Sequence, residues 1–159
     1  MSTKAKSFFD RHSRSGKNTE KTGIVRGQGE LLLVVDDEEN ILEVLKEMLE
    51  HMGYHVALAK SGREAIDTVK RTSKKISLIL LDVVMPDMDG KATFSILKTL
   101  DPELKVLVIS GYPAEGFPAQ ILHEGCEGFL QKPFGLVELS RKIRAAMGEK
   151  RPGGTDRSK

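Results

Sequence analysis

A repeated change of apolar rhythm constrains this chain more than any other feature. Leu31 to Val35 is an unbroken apolar run, whereas from Asn40 the apolar residues fall at Ile41, Val44, Leu45, Met48, Leu49 and Met52, three and four apart. A short run bounded by polar or turn residues fits a strand buried on both faces, and the wider spacing draws one apolar stripe along a helix. Gly53 is a natural stop for that helix. The pair reads as one strand-helix unit.

The unit recurs. His55 to Ala59 is apolar enough for a strand, and Ser61 with Glu64 three residues on opens a helix as a capping box does, followed by Ala65, Ile66 and Val69. Ile76 to Leu81 predicts a strand ending at Asp82, and after the turn MPDMDG a helix runs from about Lys91 to Leu100. Val106 to Ile109 is the fourth strand. The passage SGYPAEGFP leads to a short helix around Ala119 to His123, and Gly128 to Leu130 is a brief last strand. Leu136, Leu139, Ile143 and Ala146 line the final helix. Five strands alternating with five helices predict an α/β fold, a doubly wound five-stranded parallel sheet with right-handed crossovers. There is no internal repeat at solenoid period.

A length of 159 residues suits one domain with a real core. Charge is segregated along it: seven Lys and Arg face two Asp and Glu in residues 1–29, fourteen face nineteen in 30–148, and four face two in 149–159. The expected organisation is a basic, flexible arm or linker over 1–29, an acidic globule over 30–148 with order beginning near Glu30, and a flexible tail over 149–159. Cys126 is the single cysteine, so no internal disulfide forms, and it reads as a small core residue. No stretch approaches the roughly 20 apolar residues of a membrane span. The basic start lacks the apolar segment of a secretion signal, so the expected location is cytoplasmic.

In doubly wound sheets chemistry gathers at the carboxyl ends of the strands. There this sequence places Asp36 and Asp37 after the first strand, Asp82 after the third, Ser110 after the fourth and Lys132 after the fifth. Three converging carboxylates repel one another, and a hard divalent cation resolves that repulsion. Mg²⁺ suits the set, because it takes oxygen ligands and needs only one or two carboxylates plus a phosphate oxygen. With Lys132 opposite, a phosphoryl group would meet positive charge on both sides, and Asp82 would stand as an in-line nucleophile.

In order and spacing, LLLVVDDEE, LILLDVVMPDMDG, VLVISGY and GFLQKPF resemble the motifs of bacterial two-component response-regulator receiver domains, over about residues 30 to 148. The resemblance implies a flavodoxin-like (β/α)5 receiver fold. It implies that Asp36 and Asp37 are the acidic pair, Asp82 the phosphoacceptor, Ser110 the switch hydroxyl, Phe129 the switch aromatic and Lys132 the phosphate-binding lysine. Mg²⁺ would be held by Asp37, Asp82 and the Val84 backbone carbonyl, with Asp36 acting partly through water. It further implies a cis peptide before Pro133, and that Val84 and Tyr112, flanking the phosphoryl group, influence its lifetime. The implied partners are a histidine kinase or histidine phosphotransfer protein and a downstream protein effector, for a signalling domain that promotes its own phosphorylation and dephosphorylation.

Other readings exist for single residues. An Asp-Asp pair at a helix start is favourable charge near the macrodipole, a Ser-Gly pair is a turn, and an aromatic on a strand is core packing. Two rival functions follow from the whole. A haloacid-dehalogenase-type phosphatase, resembling the first by its aspartyl phosphate, requires a second Asp two residues after the nucleophile, where this chain has Val84. A phosphate-independent receiver-like binding module would be expected to have lost an acid or the lysine, and none is lost. After Met147 only GEKRPGGTDRSK remains, too short and polar for a DNA-binding domain, so output is expected through protein contacts, from a stand-alone receiver or the terminal receiver of a hybrid histidine kinase.

Overall fold

The computed structural model describes residues 22–85, 89–113 and 117–148. Ten elements alternate through it: β1 (Leu31–Val35), α1 (Glu39–His51), β2 (His55–Ala59), α2 (Gly62–Arg71), β3 (Ile76–Asp82), α3 (Gly90–Leu100), β4 (Val106–Ser110), α4 (Phe117–His123), β5 (Gly128–Gln131) and α5 (Leu136–Met147). All strand pairs are parallel, in the order β2-β1-β3-β4-β5. The expected doubly wound five-stranded parallel sheet is therefore the fold observed.

The continuous apolar runs are explained by burial on both faces. Leu32 and Val34 of β1, Leu78 and Leu80 of β3, and Leu107 and Ile109 of β4 point to one side, where they meet Leu42, Leu45 and Leu49 of α1 and Leu139, Ile143 and Ala146 of α5. Their neighbours Leu33, Val35, Ile79, Leu81, Val106 and Val108 point to the other, against Ala65 and Ile66 of α2, Phe94 and Leu97 of α3 and Ile121 of α4. The two-residue period of a strand thus divides one apolar run between two cores.

Helix starts follow local chemistry. Ser61 Oγ accepts the Glu64 N–H at 3.1 Å, and Glu64 reaches back to the Lys60 N–H at 2.7 Å, one residue earlier than the reciprocal bond of a capping box. Asp89 caps α3 by accepting the Ala92 N–H at 2.7 Å. At Gly90 a Cβ would lie 2.4 Å from the Val83 Cα, so only glycine lets α3 begin so close to the exit of β3. Within the turn MPDMDG, Pro86, Asp87 and Met88 lie outside the described residues. Packed structure also begins earlier than the expected Glu30, since residues 22–30 lie along α1 and α5.

Order 2-1-3-4-5 puts β1 and β3 side by side at the centre while their following connections run to opposite sides. That divergence opens a crevice at their carboxyl ends. Among the described residues no helix is long and apolar enough to cross a membrane.

Candidate functional site

One local device recurs at three strand ends. Asp36 follows β1, and its Oδ1 accepts the Glu38 N–H at 2.9 Å. Asp82 closes β3, and its Oδ1 accepts the Val84 N–H, also at 2.9 Å. Ser110 closes β4, and its Oγ accepts the Tyr112 N–H at 3.0 Å. In each case a short polar side chain bonds the backbone two residues on and fixes the turn leaving the sheet. For the two aspartates this commits one oxygen and leaves the other directed into the crevice.

Lys132 occupies the space between them. Its backbone N–H bonds the Ser110 carbonyl at 2.8 Å, anchoring the exit of β5 to β4. Its Nζ donates to Asp36 Oδ2 at 3.0 Å and to Asp82 Oδ2 at 3.1 Å. Asp36 and Asp82 are buried, at 2% and 7% exposure, whereas Asp37 is exposed on the rim. Oxygens of Asp36, Asp37 and Asp82 lie within 4.8 Å of one another.

The electrostatics follow from that burial. Desolvation pushes the Asp82 carboxyl up to about 6, with the Asp36 charge adding to the rise, although the Val84 N–H and Lys132 oppose it. Burial by itself pulls the Lys132 ammonium down. The hydrogen bond to Asp36 and the charge of Asp82 more than offset this, so its net direction is up. Among the described residues the site is short of positive charge: one ammonium serves two buried carboxylates with a third beside them. An all-oxygen donor set with this excess of negative charge suits Mg²⁺ chemically.

The other expected residues surround this centre. Tyr112 and Val84 are exposed, at 62% and 50%, at the mouth of the crevice. Phe129 is half-buried on β5, opposite Val108, and packs on the α3/α4 side. The peptide between Lys132 and Pro133 is cis. Cys126, read from sequence as a core residue, is half-buried and packs at the edge of the α2/α3/α4-side core, beside the Gly128 carbonyl. Sequence reasoning missed that Lys132 bridges both acids. The signal available was its unit charge against three carboxylates.

The comparisons agree with this geometry. Residues 32–144 match the model of the response regulator receiver domain. The chain belongs to that family. It is 35% identical to the transcriptional regulatory protein ZraR of Escherichia coli O157:H7 over 116 residues, 73% of this chain and 26% of the relative. It is 32% identical to the sensor kinase CckA of Brucella abortus over 128 residues, 80% of this chain and 13% of that one. The chain thus spans about a quarter or less of these two relatives. Among solved structures, the response regulator TrrA of Thermotoga maritima, in complex with Mg²⁺ and a beryllium fluoride, superposes with a TM-score of 0.66 at 28% identity, covering 74% of this chain and 98% of that one. Receiver domain, two-component signalling and the five-stranded fold are established on this basis.

Proposed function

We propose that this receiver takes a phosphoryl group on Asp82 from a histidine kinase or histidine phosphotransfer protein, and that the event controls a protein partner. The observation that carries the reading is the meeting of Asp36, Asp82 and Lys132 at the central crevice, with Asp82 held by the Val84 N–H. The Asp82 carboxylate attacks phosphorus, the phosphorus–nitrogen bond of the donor breaks, and the donor imidazole keeps the electron pair. This chain's contribution is position and charge: the Val84 N–H fixes the nucleophile, and Lys132 turns from the acids to the phosphoryl oxygens. Asp36, Asp37, Asp82 and the Val84 carbonyl would hold Mg²⁺, which supplies the second neutralising charge. Ser110 and Phe129 are the expected route from the loaded site to the surface of the last helices. In this role the chain is a signalling domain, not a phosphatase that turns over a separate substrate.

The test is labelling by a small phosphodonor with Mg²⁺, read as intact mass. One phosphoryl group on the native protein and none on Asp82→Asn is the expected result. Full labelling of Asp82→Asn would remove the assignment.

A further inference from the structure

Residues 22–30 are polar and rich in glycine, yet they are held at two places of different character. Near β1 the hold is backbone to backbone: the Gly27 N–H bonds the Met52 carbonyl and the Gly29 N–H bonds the Gly53 carbonyl, each at 2.8 Å. The Tyr54 ring lies against Gly27 so closely that a Cβ there would sit 2.4 Å from it. On α5 the hold is made by side chains. The Val25 N–H bonds Ser140 Oγ at 3.1 Å, Arg144 donates to the Arg26 carbonyl and lies 3.8 Å from Glu30, and Gly23 faces Arg141 and Val137. Ser140 is fully buried in a stripe otherwise made by Leu139, Ile143, Ala146 and Met147.

The α5 hold is tied to the site. Only Pro133, Phe134 and Gly135 separate Lys132 from α5, and Gly135 caps that helix without a side-chain hydrogen bond. Phe134 and Leu136 share an apolar cluster with Ile24 of the strap. In the present arrangement Lys132 is on Asp36 and Asp82. A metal ion and a phosphoryl group entering the crevice would compete for that pairing, and only these three residues lie between Lys132 and the start of α5.

We propose that residues 22–30 form a latch whose α5 anchor fits the unloaded site and is released when Asp82 is loaded, while the Gly27–Gly29 anchor stays. This rests on the phosphoacceptor reading above. Its consequence is that the basic residues 1–21 join the domain at a point whose hold on α5 reports the state of Asp82. The differential contact needed for such a shift is the Val25–Ser140 and Arg26–Arg144 pairing.

Amide exchange, measured residue by residue on the full chain with and without Mg²⁺ and beryllofluoride, tests it. Val25 is expected to exchange about tenfold faster in the loaded protein, with Gly27 and Gly29 changing less than about twofold. Asp82→Asn should show no response. An unchanged Val25 alongside shifted Val84 and Lys132 resonances overturns the latch and leaves the phosphoacceptor reading standing. Unshifted Val84 and Lys132 resonances overturn both. Equal acceleration of Val25, Gly27 and Gly29 also overturns the latch, because the strap then leaves as a whole. By reciprocity Ser140→Ala, which removes the acceptor of the Val25 N–H at a helix-compatible position, should bind beryllofluoride more tightly by the factor through which loading weakens that one contact. Unaltered affinity in that variant counts against the proposal.

Discussion

The two ends of the sheet solve opposite problems. At the carboxyl end, buried carboxylates are gathered around one ammonium, so this end carries unrelieved charge. At the amino end, the strap closes β1 and the α1–β2 turn with backbone hydrogen bonds and a glycine pressed on a tyrosine ring, and it carries shape complementarity instead. The first arrangement is costly until a cation and an anion complete it. The second is closely packed as it stands, although the buried Tyr54 hydroxyl has no hydrogen-bond partner among the described residues, and an atom added at Gly27 disturbs it.

Methyl groups should therefore be felt unequally. Gly27→Ala places a Cβ inside the Tyr54 ring contact, and overpacking of this kind costs about 1–3 kcal/mol. At Gly111, beside the site, a Cβ meets nothing within 4 Å, and the expected change is below about 0.5 kcal/mol. Urea unfolding of the two variants checks the contrast. Equal midpoints would show that the strap is not part of the folded unit.

Charge removal should act in the other direction. Burial pushes the Asp82 carboxyl from its ordinary value of 3.8 up to about 6, so the folded protein binds the proton more tightly than the unfolded chain does. Stability is then lost as pH rises from 3.8 through 6, and the whole penalty is present at neutral pH. Asp82→Asn removes it, and in the metal-free protein at pH 7.5 a gain of about 1–3 kcal/mol is expected, vanishing below about pH 4. Added Mg²⁺ should raise the melting temperature of the native protein more than that of the variant. A variant less stable than the native protein at pH 7.5 would mean that the Lys132 pairing outweighs the burial of charge.

These two ends also differ in how far the sequence reveals them. Asp36, Asp37, Asp82, Ser110 and Lys132 were placed by alternation alone, because each follows or ends an apolar run whose period marks it as a strand. Boundaries moved by a residue or two where long-range pairing decides them: Ser110 and Gln131 join strands because they face each other in the sheet, and α3 starts at Gly90 because of its contact with Val83. The strap was illegible for a plain reason. GIVRGQGE has the composition of a linker, and its order depends on Ser140, 115 residues away from Val25. The one available hint was a serine set among Leu139 and Ile143 on a helix stripe that should be apolar.

The remaining expected effect is kinetic and concerns the rim of the site, where Val84 and Tyr112 are exposed, each two residues beyond a side chain that ends a strand there. Hydrolysis of an aspartyl phosphate needs a water held in line with the bond that breaks. Val84 offers no hydrogen bond to such a water. Tyr112 has one hydroxyl, on a ring that is 62% exposed and open to bulk water. The N–H groups of these same two residues are already committed, to Asp82 Oδ1 and Ser110 Oγ, so the backbone supplies no substitute donor. A long-lived aspartyl phosphate is therefore expected, suited to slow output or to back-transfer in a relay. One well-placed water contact is worth about 1–3 kcal/mol in the barrier, or roughly tenfold or more in rate. Val84→Asn combined with Tyr112→Glu supplies an amide and a carboxylate at the mouth, and phosphate release from the double variant should be faster by about that factor. If the native protein releases phosphate as quickly as the double variant, the lifetime is set within the buried centre, by Lys132 and the acids, and the rim has no part in it.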